Sequence, residues 1–179
     1  KLVEARPAGL NSLCAKESLD ISAVSSIEYA RLKDKYLIID GLSLNSFGYV
    51  KSVLLVSRVK IENLDGKKIG LTSYSATSHC LLKIILQDHY GIVPEYIVTD
   101  KFGGDMDAFL LIGDEALNFA GKRGFYIYDL GKLWAEIYRR PVIFALWLVN
   151  KRSVAAHEQE ISRFIVSLKK SYGYTKKHW

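Results

Sequence analysis

Two long apolar runs, SVLLVSR at positions 52–58 and VIFALWLVN at 142–150, bracket the middle of this chain. Both are rich in β-branched residues and leucine and are of strand length, far short of the roughly 20 apolar residues that a membrane-crossing helix needs. A continuous apolar strand belongs in a sheet covered on both faces, since a half-solvated strand alternates. Two such strands far apart in sequence are what a chain shows when it leaves one lobe, builds a second and returns. The expected division is lobe one over 1–53, an inserted lobe two over 54–145, and a return to lobe one over 146–179.

The rest of the chain alternates. Short apolar runs predict strands at 2–5, 20–24, 36–39, 69–71, 96–98, 108–112 and 125–128. Helices are predicted to open at Pro7, which a first helical turn tolerates, and at the Ser25-Ser26-Ile27-Glu28 cap. Further helices follow over 114–120, 133–139 and 158–168. Such alternation indicates a parallel α/β architecture. Ligands of open α/β sheets bind at the carboxyl ends of strands, so the loops at 24–26, 44–52, 72–78 and 113–115 should converge on a cleft between the lobes.

Composition excludes several classes. Half of the 179 residues are apolar, enough for a real core, and aromatic residues are plentiful. The two cysteines, Cys14 and Cys80, fall inside predicted helices and read as small buried hydrophobes. There is no C-x-x-C and the four histidines are scattered, so no metal site is predicted. The net charge of +6 favours anionic partners in general. The basic residues are dispersed, apart from Lys169-Lys170 and Lys176-Lys177-His178, which read as a solvated helix face. A nucleic-acid or membrane partner is therefore not expected, and no oligomeric state is legible.

The stretch TSYSATSHCLL, positions 72–82, carries a hydroxyl on six of its first seven residues. Leu81, Leu82, Ile85 and Leu86 after it share one helical face, so the hydroxyls lie in a strand-to-helix loop and at a helix N-terminus. That end has unpaired N–H groups and the positive pole of the dipole. Two readings stand side by side: one Ser or Thr caps the helix, or several hydroxyls seat a small carboxylate.

Several ordered segments resemble the chorismate dehydratases, which open the futalosine route to menaquinone. They are PAGLNSLCAKESLDISAVSSIEYA (7–30), GYVKSVLLVSR (48–58), SATS (75–78), LLIGDEAL (110–117) and YDLGKLWAEIYRRPVIFALW (128–147). The resemblance implies a two-lobed fold like that of type 2 periplasmic solute-binding proteins, used as a cytoplasmic enzyme. It implies chorismate, a dianion, as substrate, with no metal or organic cofactor. Family members begin with an earlier strand and a Tyr-Leu-Asn-Thr type motif, and continue into further C-terminal helix. Lobe one is therefore expected to be incomplete here at both ends.

The resemblance sharpens the candidate site. Ser75, Thr77 and Ser78 would hold one substrate carboxylate. Ser26 and Ser52, with Ser46 and Gly113, would hold the other carboxylate or the hydroxyl. Glu28 is either a complement to its helix dipole or the general base. Asp114 is either an N-cap or a cleft residue that bonds a substrate hydroxyl. The same fold also serves non-catalytic carboxylate binding, and the sister dihydroxynaphthoate synthase acts on a larger substrate.

Overall fold

The run at 52–58 yields strand β3, Val53–Ser57, all five residues of which are buried. In the computed structural model, which describes residues 1–73, 75–119 and 123–178, this strand is an interior member of a five-stranded sheet. Its partners are β4 (Lys68–Leu71), β5 (Glu95–Val98), β6 (Ala108–Ile112) and β7 (Tyr126–Asp129), in the order β5-β4-β6-β3-β7. Val53 and Leu55 point into one core with Ile69, Leu71, Leu82, Ile85 and Leu110. Leu54 and Val56 point into another with Phe109, Leu111, Ala116 and Phe119. Period-two alternation thus distributes one apolar run between two cores, each fully buried leucine contributing roughly 1.5–3 kcal/mol.

The run at 142–150 yields β8, Val142–Asn150, in a separate three-stranded sheet with β1 (Ile21–Ser25) and β2 (Tyr36–Ser46) in the order β1-β8-β2. The chain crosses from this sheet to the larger one between Ser46 and Val53, and returns between Tyr138 and Val142. All of β8 pairs within the three-stranded sheet, so the expected division at 145/146 falls inside a continuous strand.

The expected parallel pairing holds only for β5, β4 and β6. β3 runs antiparallel to both β6 and β7, and β8 antiparallel to both β1 and β2. The reason is the route: a strand arriving from the other sheet enters where its neighbours finish, so it runs against them.

Helices cover the sheets. α1 (Pro7–Ala15) buries Cys14 against Val24, Leu32, Tyr36 and Leu148. The Tyr36 hydroxyl donates to the carbonyls of Cys14 and Leu19 at 3.1 and 3.2 Å. α2 (Ser26–Leu32) follows β1 directly, and α3 (Ala76–Ile84), extended by a wider turn over Ile85–His89, follows β4. α4 (Gly113–Phe119) follows β6; its expected last residue, Ala120, lies outside the described residues, as does the hydroxyl of Tyr74.

Four local expectations are corrected. Residues 2–5 form no strand: they find no sheet neighbour, and Leu2 is 81% exposed. β2 continues to Ser46, past the expected end at 39, by taking two irregularities against β8. α5 (Leu130–Tyr138) starts at Leu130 instead of 133, because Asp129 caps it. After the short α6 (Lys151–Ala156), α7 runs from Glu158 to His178 instead of ending at 168. No helix among the described residues is long and apolar enough to cross a membrane.

Candidate functional site

The hydroxyl stretch divides its labour. Ser75 is the N-cap of α3: its hydroxyl accepts from the Ser78 N–H at 3.2 Å and lies 2.8 Å from the Ser78 hydroxyl. Thr77, two residues beyond Ser75, turns toward the other sheet. Its Oγ1 lies 3.2 Å from Ser26 Oγ and accepts from the Ile27 N–H at 3.4 Å. Thr77 and Ser78 are buried, and Ser75 and Ser26 are half-buried. Two helices that serve different sheets thus open toward each other through side-chain hydroxyls. Capping is performed by Ser75, while the buried Thr77 hydroxyl bonds across to the opening of α2.

The other expected residues lie in two places. Glu28 sits in the first turn of α2, two positions from Ser26, and is buried. The Arg31 guanidinium donates to both of its carboxylate oxygens, at 3.2 and 3.4 Å. Ser52 and Gly113 are joined where β3 begins and β6 ends, by the Gly113 N–H to the Ser52 carbonyl at 2.8 Å. Gly113 has φ +58°, a left-handed conformation that glycine adopts without strain and that turns the chain from β6 into α4. Asp114 follows it, exposed, in the first turn of α4. The hydroxyls of Ser46 and Ser52 are both turned onto the crossing segment: Ser46 donates to Tyr49 O at 3.2 Å, and Ser52 to Val50 O at 3.4 Å. The observed hydrogen bonds therefore form two separate pairs, Ser26 with Thr77 and Ser75 with Ser78, which meet through the adjacent positions 77 and 78, while Glu28 is bonded to Arg31 and to none of these hydroxyls. They link Ser52 to Gly113, and they connect neither Ser46 nor Asp114 to the hydroxyl cluster.

Three residues with no assigned role in the sequence hold this arrangement. The Asp100 carboxylate accepts from the Ser73 N–H and Ser73 hydroxyl, both at 2.8 Å, and from the Thr72 hydroxyl at 3.3 Å. The Ser73 N–H, and then its hydroxyl, hold the Asp100 carboxyl below the usual carboxylate range. His79 Nε2 lies 2.6 Å from the Thr72 carbonyl oxygen. Asn11, on α1, pairs with both the N–H and the hydroxyl of Ser25, which immediately precedes α2. None is adjacent in sequence to what it holds, which is why local pattern did not find them. The isolated His79 beside six hydroxyls was the one signal present.

A cavity of about 350 Å³ adjoins the loop at Thr72. Thr72, Asp100 and Glu115 meet there with the rings of Phe102, Phe109 and Phe119. No group of acidic, cysteine or histidine residues suited to a metal ion occurs among the described residues.

Over residues 1–179 the sequence matches a family model described as menaquinone biosynthesis. The chorismate dehydratase of Thermus thermophilus is 29% identical over 174 residues, covering 86% of this chain. The chain spans 62% of that relative's length. Among solved structures, protein AF1704 from Archaeoglobus fulgidus superposes with a TM-score of 0.66 at 25% identity, over 96% of this chain and 67% of that one. The alkanesulfonate-binding protein SsuA from Xanthomonas axonopodis pv. citri, solved with MOPS bound, gives 0.65 at 15% identity, over 97% of this chain and 62% of its own. The fold is that of the periplasmic-binding-protein-like α/β chains.

Proposed function

The chain belongs to the menaquinone-biosynthesis family, and we propose on that footing that it dehydrates chorismate to 3-[(1-carboxyvinyl)oxy]benzoate and water. The reaction removes the hydroxyl from ring carbon 4 and the proton from carbon 3, and the ring becomes aromatic. The carbon 3 proton is vinylogous to the ring carboxylate through the carbon 1–carbon 2 double bond, so its removal sends charge onto that carboxylate. Donors fixed around the carboxylate stabilise the charge as it develops, and one such donor is worth roughly 3–4 kcal/mol in an oxyanion hole. Aromatisation supplies the driving force, so the reading calls for no metal or organic cofactor. It is a hydro-lyase activity placed in the cytoplasm.

The observation that carries this reading is the meeting of Ser26 with Thr77. In it, Ser75, Thr77 and Ser78 seat the ring carboxylate at the opening of α3. Ser26, with Ser46, Ser52 and Gly113 toward the crossing segment, holds the second carboxylate. Of the two candidate carboxylates, Glu28, in the first turn of the helix that Ser26 opens, is assigned the carbon 3 proton. Asp114, at the opening of α4, is assigned the leaving hydroxyl. The relative's printed activity supports the same reaction.

The test is direct. Purified full-length protein is incubated with chorismate and followed by ultraviolet absorbance and mass. The expected product is aromatic and lighter by one water. Chorismate bound and returned unchanged would mean a solute-binding protein instead. Consumption of only a larger futalosine-derived substrate would mean the sister synthase.

A further inference from the structure

We propose that Asp100 is a positioning residue for the carboxylate seat, acting through Thr72 and Ser73; the inference rests on the seat proposed above. Asp100 lies just beyond β5, the edge strand of the larger sheet. Its carboxylate draws in the Ser73 N–H, the Ser73 hydroxyl and the Thr72 hydroxyl. From the α3 side, His79 holds the Thr72 carbonyl. The neighbouring Thr99 N–H donates to Leu71 O at 2.9 Å, so β5 and β4 are tied at the point where the loop departs. The first two residues of the hydroxyl stretch are thereby clamped from two directions.

This clamp gives the stretch its direction. Thr72 and Ser73 turn their hydroxyls onto Asp100, which leaves Ser75, Thr77 and Ser78 to define the opening of α3. A negative charge beside an anion seat opposes the anion. Three donors from the loop itself offset that charge, and the geometry they impose is what the carboxylate contributes. Small displacements of a binding group lower rate steeply, roughly a hundredfold for about 1 Å, so a loop fixed at Ser73 bears directly on turnover.

The experiment compares Asp100→Ala, Asp100→Asn and Ser73→Ala in the full-length protein. Asp100→Ala is expected to lower kcat/KM for chorismate by roughly tenfold or more, chiefly in kcat, with the melting temperature little changed. Asp100→Asn keeps an acceptor for the Ser73 N–H and offers its amide to the Ser73 hydroxyl, so it should recover to within roughly threefold of wild type. Ser73→Ala should fall between the two, since one of the three donors is lost. The proposal is overturned if Asp100→Ala lowers melting temperature without altering kcat. It is equally overturned if Asp100→Asn is as damaging as Asp100→Ala. Wild-type protein that leaves chorismate untouched would defeat the function reading instead. The positioning would then be read from amide hydrogen exchange at positions 73, 75 and 78, where Asp100→Ala should accelerate exchange; unchanged exchange would refute it.

Discussion

Ser26 and Thr77 stand 51 positions apart in sequence, on helices that cover different sheets, and their hydroxyl oxygens are 3.2 Å apart. The direction of the protons follows from their other partners. Ser26 Oγ donates to Ile143 O at 2.6 Å, so toward Thr77 it accepts. Thr77 Oγ1 takes the Ile27 N–H and gives its own proton to Ser26. The result is a relay of donors from the α2 backbone through both hydroxyls to β8. On the proposed reading, a substrate carboxylate entering here would accept the Ile27 N–H in place of Thr77 Oγ1, or would accept the Thr77 proton in place of Ser26 Oγ.

Replacing Thr77 with Val and Ser78 with Ala removes two of the donors while keeping shape. The affinity for chorismate should fall roughly tenfold or more, since each hydrogen bond to a charged group is worth about 1.5–3 kcal/mol. The far-ultraviolet circular dichroism should match wild type. Calorimetric titration decides it: undiminished affinity in a folded double variant would remove these hydroxyls from the seat.

Glu28→Gln keeps volume and the ability to bond Arg31, but not basicity. If Glu28 takes the carbon 3 proton, kcat should fall by roughly 10²–10⁴ with KM little altered. Single-turnover measurement separates this from a defect in release. A turnover close to wild type would transfer the role to the substrate's own enolpyruvyl carboxylate.

The parts of this arrangement that could be read from sequence are those set by neighbouring residues. The run Phe109-Leu110-Leu111-Ile112 is apolar without alternation, and it is a buried strand. Ser75 precedes an apolar helical face, and it is the cap. Strand direction was not legible, because whether β3 runs with or against β6 depends on which sheet the chain has just left. Nor was Asp100, whose three donors come from positions 27 and 28 residues away. The expected strand at 36–39 is only the start of β2, which continues through the polar residues Asp40, Gly41, Ser43 and Asn45 to Ser46. In the fold this is an edge strand with a solvent-facing side, so polar residues are accommodated there.

A pH dependence follows from Glu17. Lys35 first, at 2.6 Å, and then Arg152, at 3.2 Å, hold the Glu17 carboxyl below its ordinary value against a burial that pushes it up. Because the folded value is depressed, the unfolded chain takes up the proton first. The contribution is therefore complete above the unfolded carboxylate value and is lost as pH falls from there through the folded one. Urea midpoints measured between about pH 5 and pH 3 should drop more steeply for wild type than for Glu17→Gln. Parallel acid limbs for the two proteins would show that Glu17 adds nothing.

The crossing between sheets offers the sharpest stability test. Asp129 ends β7 and caps α5, accepting from the Lys132 N–H at 3.0 Å. The same carboxylate accepts from the Val50 N–H at 3.1 Å and the Lys51 N–H at 2.6 Å, on the segment that leaves the three-stranded sheet. Two residues on, Gly131 faces the same segment so closely that an added Cβ would stand 2.6 Å from Gly48 O and 3.1 Å from Val50 Cβ. Lys51 itself has φ +62°, which a lysine holds only where the surroundings dictate it. Asp129→Ala leaves three backbone donors unpaired and should cost about 2–4 kcal/mol. Gly131→Ala sets a methyl against the Gly48 carbonyl oxygen and should cost about 1–3 kcal/mol. The two act on one contact, so the double variant should lose less than the sum. Urea unfolding of all three variants measures this. Strict additivity would mean that cap and crossing are held independently, and that the clamp is not a single unit.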